Sequence, residues 1–197
     1  EASHQMSSNP MPPGHRIPGS VGLGTGVNIG IMNESGQLLE PGSRGEVVIN
    51  GPNVFRGYEE NPEANSTAFD HGWFRTGDEG ALDNNGYLSL LGRIKEIINR
   101  SGEKISPGEI DEILLSHPSV SEAVAFGIPH SVHGEEPSAA VVIDGNITEK
   151  ELISFCRQHL ADFKCPRNIH IVNEIPKTAT GKIQRRIVAN AMSSRSE

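Results

Sequence analysis

The character of the chain changes after Gly92, and this break limits it to two different kinds of structure in series. Before the break, short runs of alternating apolar and polar residues are interrupted by turn-forming residues, which is a strand pattern. Val27 to Met32 alternates, and Asn33-Glu34-Ser35-Gly36 supplies a turn. Glu46 to Ile49 is a second strand between Gly45 and Gly51. Asn61 to Phe69 reads as a short helix, with Asn61 as its N-cap and Pro62 at the first helical position. Asp83-Asn84-Asn85-Gly86 predicts a hairpin turn into a strand from Tyr87 to Leu91. Residues 1–20 carry Pro10, Pro12, Pro13 and Pro18 and can form neither a helix nor a central strand.

After the break, strands and helices mix. Ile94 to Arg100 reads as a strand, Ser101-Gly102-Glu103 turns it, and Lys104-Ile105 begins the return. Ser106-Pro107-Gly108-Glu109 has the spacing of a capping box, which predicts a helix ending near His117-Pro118. Val120 to Ile128, Ala139 to Ile143 and Ile169 to Val172 are apolar enough for strands. Thr148 caps a helix whose apolar residues, Leu152, Ile153, Phe155, Cys156 and Leu160, recur at helical spacing. Thr178 to Gly181 is a loop, and Lys182 to Met192 a last helix. The fold class expected is α+β, with one domain over 1–93 and a second over 94–197.

Charge narrows the function. Lys and Arg total 17 against 25 Asp and Glu, so the formal net charge is −8. Such a chain repels nucleic acid, and any phosphate ligand has to meet a local basic cluster. Cys156 and Cys165 form no Cys-x-x-Cys pair and no zinc spacing, so they read as reduced thiols. No apolar run is long enough to span a bilayer. The opening, Glu1-Ala2-Ser3-His4, has neither a basic start nor an apolar run, and it lacks an initiator Met, as expected of a fragment. The ending, Ser194-Arg195-Ser196-Glu197, is not a Ser-Lys-Leu address. A cytoplasmic protein is the expectation.

Three familiar motifs fail. Gly22-Leu23-Gly24-Thr25-Gly26 has Val27 where a dinucleotide site needs glycine, and a strand follows it. Gly181-Lys182 has Pro176 and Ile183 where a phosphate loop needs Gly and Ser or Thr. His130 and His133 sit between Pro129 and Gly134, with Glu135 and Glu136 just beyond, and read as surface-loop residues rather than zinc ligands.

Three segments remain in which glycines hold polar groups. In Arg75-Thr76-Gly77-Asp78, a carboxylate on a tight turn has two acceptor oxygens for the two donors of a ribose diol. The plainer alternative is an Asp that caps a turn. Gly92 to Ile105 holds four cations, Arg93, Lys95, Arg100 and Lys104, the basic cluster that phosphate would need; a charge-protected edge strand is the alternative. Pro176 to Arg186 is a small-residue loop presenting Lys182 as a point charge, while Arg185 and Arg186 read as serving helix packing and surface charge.

Taken together and in this order, the three segments resemble the adenylate-forming superfamily of acyl-CoA synthetases, luciferases and peptide-synthetase adenylation domains. The resemblance covers the whole chain. It implies that 1–93 is the end of a large AMP-binding N-terminal domain with a barrel-like β subdomain, and that 94–197 is a small mobile C-terminal domain. It also implies ATP and Mg2+ and coenzyme A as co-substrates, with a small-molecule carboxylate as partner. Glu1 resembles a glutamate that places ATP and magnesium. Asp78 and Arg93 resemble the pair that holds the ribose hydroxyls. Lys182 resembles the lysine that meets the reacting carboxylate and α-phosphate, Lys95 the hinge position, and Gly102 the glycine beside the pantetheine tunnel. Within the superfamily, residues 1–10, 94–107 and 177–187 are similar to ligases of oxalate. There His4 would hydrogen-bond the distal carboxylate of the diacid, together with Lys182; a solvent-facing loop histidine is the alternative. A ligase for a medium-chain or aromatic acid stays open, as does an inactive nucleotide-binding fragment.

Overall fold

In the computed structural model, residues 1–193 are described; the terminal Ser194–Glu197 sequence lies outside them. The chain divides into two compact units, Glu1–Lys95 and a second beginning at Glu96.

The first unit is mostly antiparallel sheet. β1 (Ser7–Ser8) and β2 (Leu23–Gly24) pair as a two-residue ribbon. A five-stranded sheet follows. It contains β3 (Asn28–Met32), β4 (Arg44–Asn50), β5 (Phe69–Asp70), β6 (Trp73–Leu82) and β7 (Leu88–Arg93), in the order β3-β4-β6-β5 with β7 also on β6. The apolar alternation buries Ile31, Val47 and Leu88 in one cluster. Phe55 anchors a second with Tyr58, Phe69 and Phe74, at ring-centroid distances of 4.8, 5.5 and 5.4 Å. α1 (Pro62–Ala68) forms as its cap signals require: Asn61 accepts the backbone N–H of Ala64 at 3.0 Å.

The second unit is a five-stranded sheet with helices on both faces. Its strands are β8 (Ile98–Arg100), β9 (Glu103–Ile105), β10 (Val120–His130), β11 (Gly134–Ile143) and β12 (Asn168–Ile171). The order is β10-β11-β8-β9, and β12 runs parallel to β11. α2 (Pro107–Leu115) and α3 (Glu149–His159) contribute Ile110, Leu114, Leu152 and Cys156 to a core that takes Ala123, Ala125, Ala139 and Val141 from one sheet face. α4 (Arg185–Ser193) sets Val188 and Met192 against Val124, Phe126 and Ala140 on the other. Double-sided burial explains why β10 and β11 read as continuous apolar runs. Both cysteines are free, and burial pushes the Cys156 thiol up to about 12, which keeps it a neutral, apolar group.

Several local expectations are corrected. Ile94 to Arg100 is not one strand: Ile94–Glu96 is a 3-10 turn, and pairing begins only at Ile98. None of the first three side chains is buried, so nothing holds them to a sheet period. The capping box at Ser106 and Glu109 does not form. Ser106 gives the helix end no side-chain bond, and both Glu109 oxygens accept from Lys164 Nζ at 2.8 and 2.7 Å. The ion pair outcompetes the short reach back to the N-cap. The box forms at Thr148 and Glu151 instead. The last helix starts at Arg185, because residues 177–183 close into a small loop bridged from Lys177 to Ile183.

Arg185 is the buried polar joint of this unit. It donates to Asp111 Oδ2 at 2.9 Å, to Glu96 Oε2 at 2.9 Å and to the carbonyl of Ala125. Replacing Asp111 by Ala leaves a guanidinium short of its partner in a half-buried place, so Asp111→Ala should lower stability by about 3 kcal/mol. Thr148→Ala, which removes only a helix cap, should cost about 1 kcal/mol. Urea unfolding of both variants checks this order, and equal losses would contradict it.

Candidate functional site

In the first unit, the site is built on an irregular stretch of β6. From Arg75 to Glu79 that strand advances four residues while its neighbour advances two, from Val48 to Glu46. The excess is taken up at Thr76-Gly77-Asp78, where Gly77 has φ 75°. Asp78 was expected on a tight turn; it lies instead in a bulged strand. A bulge has the same need for a positive φ, which is why the glycine signal suggested a turn.

The bulge is held from the next strand. Glu46 Oε1 accepts the backbone N–H of Gly77 at 3.0 Å, and Glu46 Oε2 accepts Arg75 Nε at 2.7 Å. Arg75 also reaches Asp70 Oδ2 at 3.3 Å. Thr76 Oγ1 donates to the carbonyl of Val47 at 2.7 Å and accepts the N–H of Asp78 at 3.1 Å. On the other side, β7 places Arg93 directly opposite Asp78. Arg93 Nε is 3.0 Å from Asp78 Oδ1, and its NH1 donates to the carbonyl of Thr76 at 3.0 Å. Asp78 and Arg93 are therefore brought together. Their side chains keep 29% and 60% exposure, enough for a ligand to reach both.

A cavity of about 620 Å³ opens beside this pair. Thr76, Gly77, Arg93 and Lys95 line one part of it, and Tyr58, Asn61 and Thr67 another. Tyr58 Oη donates to Glu1 Oε1 at 3.1 Å. Desolvation first, then the Glu1 carboxylate, raises the Tyr58 phenol, so it stays the donor. Glu1 thus meets the cavity rim through Tyr58. His4 is exposed and has φ 58°, an uncommon value for a residue with a side chain. Asn53 steadies it on both sides, with Nδ2 donating to the carbonyls of Ser3 at 3.2 Å and Gln5 at 3.4 Å.

The four cations of 92–105 divide between the two units. Arg93 and Lys95 belong to the first unit, whose boundary falls directly after Lys95, and Arg100 and Lys104 belong to the second. Arg100 NH2 donates to the buried Glu136 at 3.1 Å. Ser101 and Gly102 form the β8–β9 turn with φ 53° and 89°, and a side chain at Gly102 would meet nothing within 4 Å. Lys182 projects from the bridged loop. Its N–H donates to Thr178 Oγ1 at 3.1 Å, and its carbonyl accepts the N–H of Thr178 at 2.8 Å.

Known proteins are similar to this chain in sequence and in fold. Residues 109–182 match the AMP-binding enzyme C-terminal domain family. The oxalate–CoA ligase of Arabidopsis thaliana is 55% identical over 192 residues, covering 96% of this chain and 37% of that protein. The oxalate–CoA ligase of Saccharomyces cerevisiae is 52% identical over 203 residues, covering 100% of this chain and 37% of that protein. The chain belongs to the adenylate-forming enzymes. ATP-bound MatB from Rhodopseudomonas palustris has a TM-score of 0.87 at 33% identity, over 94% of this chain and 38% of that one. The chain thus spans 37% of the length of the two ligases it matches.

Sequence reasoning missed Glu46 and Tyr58 as parts of the site, and it gave Arg75 no role within its segment. Glu46 lies on another strand, and only the β4–β6 register carries it to Gly77. The tight turn expected at Thr76-Gly77-Asp78 was the one available hint, because a half-buried backbone N–H at such an irregularity needs an acceptor outside the regular ladder. Glu46→Ala removes an acceptor from Arg75 and from Gly77 together. It should lower stability by about 2–3 kcal/mol, and Glu46→Gln by less, as read by thermal or urea unfolding. Equal stability of the Ala variant and the parent would contradict the clamp.

Proposed function

We propose that this chain serves an ATP-dependent carboxylate–CoA ligase that works through an acyl-adenylate, with oxalate as the acid and oxalyl-CoA as the product. The observation that carries the reading is Asp78 held opposite Arg93 across a bulge at the edge of a cavity. The identity to two oxalate–CoA ligases supports the choice of acid. Residues 1–93 are assigned to the end of the AMP-binding domain and residues from 94 onward to its small partner domain.

The donor set suits a nucleotide. The exposed Asp78 carboxylate offers acceptors to a ribose diol, and Arg93 offers donors beside it. Glu1 gives one oxygen to Tyr58, which leaves the other for magnesium. Magnesium, when bound, would neutralise triphosphate charge. In the first step a carboxylate oxygen of oxalate forms a bond to the α-phosphorus of ATP, and the bond to pyrophosphate breaks. Two anions meet there, and Lys182 is assigned to neutralise them. In the second step the CoA thiol gives up its proton, its sulfur attacks the acyl carbon, and AMP leaves. Gly102, with open space where a side chain would stand, is assigned to the border of the thiol's path. Lys95, the last residue before the unit boundary, is assigned as the hinge between the two steps. His4 is assigned to the distal carboxylate of oxalate, and its positive φ is a cost that a contact of this kind would justify.

The test belongs in a protein of the relatives' full length, with the two half-reactions measured separately. Lys182→Ala should slow pyrophosphate release from ATP and oxalate by about 100-fold or more. Lys95→Pro should spare that step and slow thioester formation. His4→Ala should raise the apparent KM for oxalate roughly tenfold, the worth of one charge-assisted hydrogen bond. A Lys182→Ala enzyme as fast as the parent would end the proposal, and an unchanged oxalate KM would remove His4 from it. The 197 residues alone, spanning 37% of the two ligases, should release little pyrophosphate; release at the full enzyme's rate would contradict the division of labour.

A further inference from the structure

The turn that carries Gly102 is fastened from outside its own hairpin. Arg100, at its start, pairs with Gly134 at the head of β11. The Ser101 N–H donates to the carbonyl of His133 at 2.8 Å, and Ser101 Oγ lies 2.8 Å from His133 Nδ1. Ser101 and Gly102 both have positive φ, the geometry of the tightest hairpin turns. Glycine adopts it freely, but for Ser101 the left-handed conformation is strained and needs surrounding contacts to persist.

The His133 ring is itself held on three sides. It stacks on His130 with centroids 4.8 Å apart and planes 17° from parallel. Its Nε2 lies 3.7 Å from Glu136 Oε1, on a side chain that is only 5% exposed. With Nε2–H facing that carboxylate, Nδ1 is left to accept the Ser101 hydroxyl. His130 Nδ1 accepts the N–H groups of Val132 and His133, each at 3.2 Å, and so fixes the intervening turn. His130, His133 and Glu136 have the residue types of a metal site. However, His130 Nδ1 is committed to backbone donors and the Arg100 guanidinium already sits on Glu136, so the group is built for rigidity. The sequence placed these histidines in a surface loop; they cap a stiff hairpin that ends in strand at His130 and resumes at Gly134.

We propose that His133 is a positioning residue for the CoA-dependent step, holding the Ser101–Gly102 turn in shape through the Ser101 hydroxyl. This rests on the assignment of Gly102 to the thiol's path. Loss of the ring should leave the adenylate step alone and blunt the use of CoA.

The experiment uses the full-length enzyme and varies CoA. His133→Ala should raise the apparent KM for CoA about five- to tenfold, the worth of one hydrogen bond, with pyrophosphate release in the absence of CoA unchanged. His133→Asn should restore the parent value, because its amide sits where Nδ1 was; His133→Gln, reaching to the Nε2 position, should not. Ser101→Ala should reproduce the loss, and adding His133→Ala to it should cost nothing more. An unchanged CoA dependence in His133→Ala, a parallel fall of both half-reactions, or equal behaviour of the Asn and Gln variants would each overturn the proposal. If the parent enzyme made no thioester at all, the assignment of CoA chemistry would fall with it. A parent that works beside an indifferent His133→Ala sinks the positioning role alone.

Discussion

The Glu46 carboxylate is the fixed point of the first unit. One oxygen holds the backbone N–H of Gly77, and the other holds the Arg75 guanidinium. Both ends of the bulge in β6 are thereby tied to β4, and Asp78 emerges facing Arg93. A bulge without this anchor would leave its extra residues to choose among conformations, and Asp78 and Arg93 would meet only part of the time.

The second unit solves a related problem around Lys182. The loop of 177–183 is short and exposed, so its geometry has to come from its ends. At the near end, Lys177 Nζ is 2.6 Å from Glu122 Oε1 on β10. At the far end, Arg185 is fastened to Asp111, Glu96 and Ala125. Thr178 closes the middle by bonding Lys182 through both its backbone and its hydroxyl. The lysine itself stays exposed, while its backbone is confined.

Much of this was legible in the residues. Alternation gave the strands, and Asn61 and Thr148 gave helix starts that the structure reproduces with their side-chain bonds. What stayed hidden was pairing between distant segments. Asp78 and Arg93 stand in separate segments that only the resemblance joined as a pair, and the register of β6 on β7 sets them opposite each other. Glu109 has the spacing of a capping residue, but Lys164, far along the chain, claims it. Local spacing reports what a side chain is able to do, whereas long-range geometry decides which of its options it uses. The two histidines near Gly134 show the same limit. Pro129 and Gly134 suggested a loop; His133 does lie in the turn, whereas His130 is the last residue of β10.

The two-faced sheet of the second unit has a consequence for how the chain comes off the ribosome. β10 and β11 form an early hairpin, but Val124, Phe126 and Ala140 are covered by Ile175 and by Val188 and Met192 of α4, and β12 joins the sheet from well beyond them in the sequence. A nascent chain therefore carries a bare apolar sheet face until α4 has emerged. During that interval the hairpin is a target for chaperones and for its own neighbours on the polysome. The segment that bears Lys182 leads directly into the helix that seals this face, so a stop codon just upstream of Lys182 would leave the sheet uncovered as well as removing the lysine.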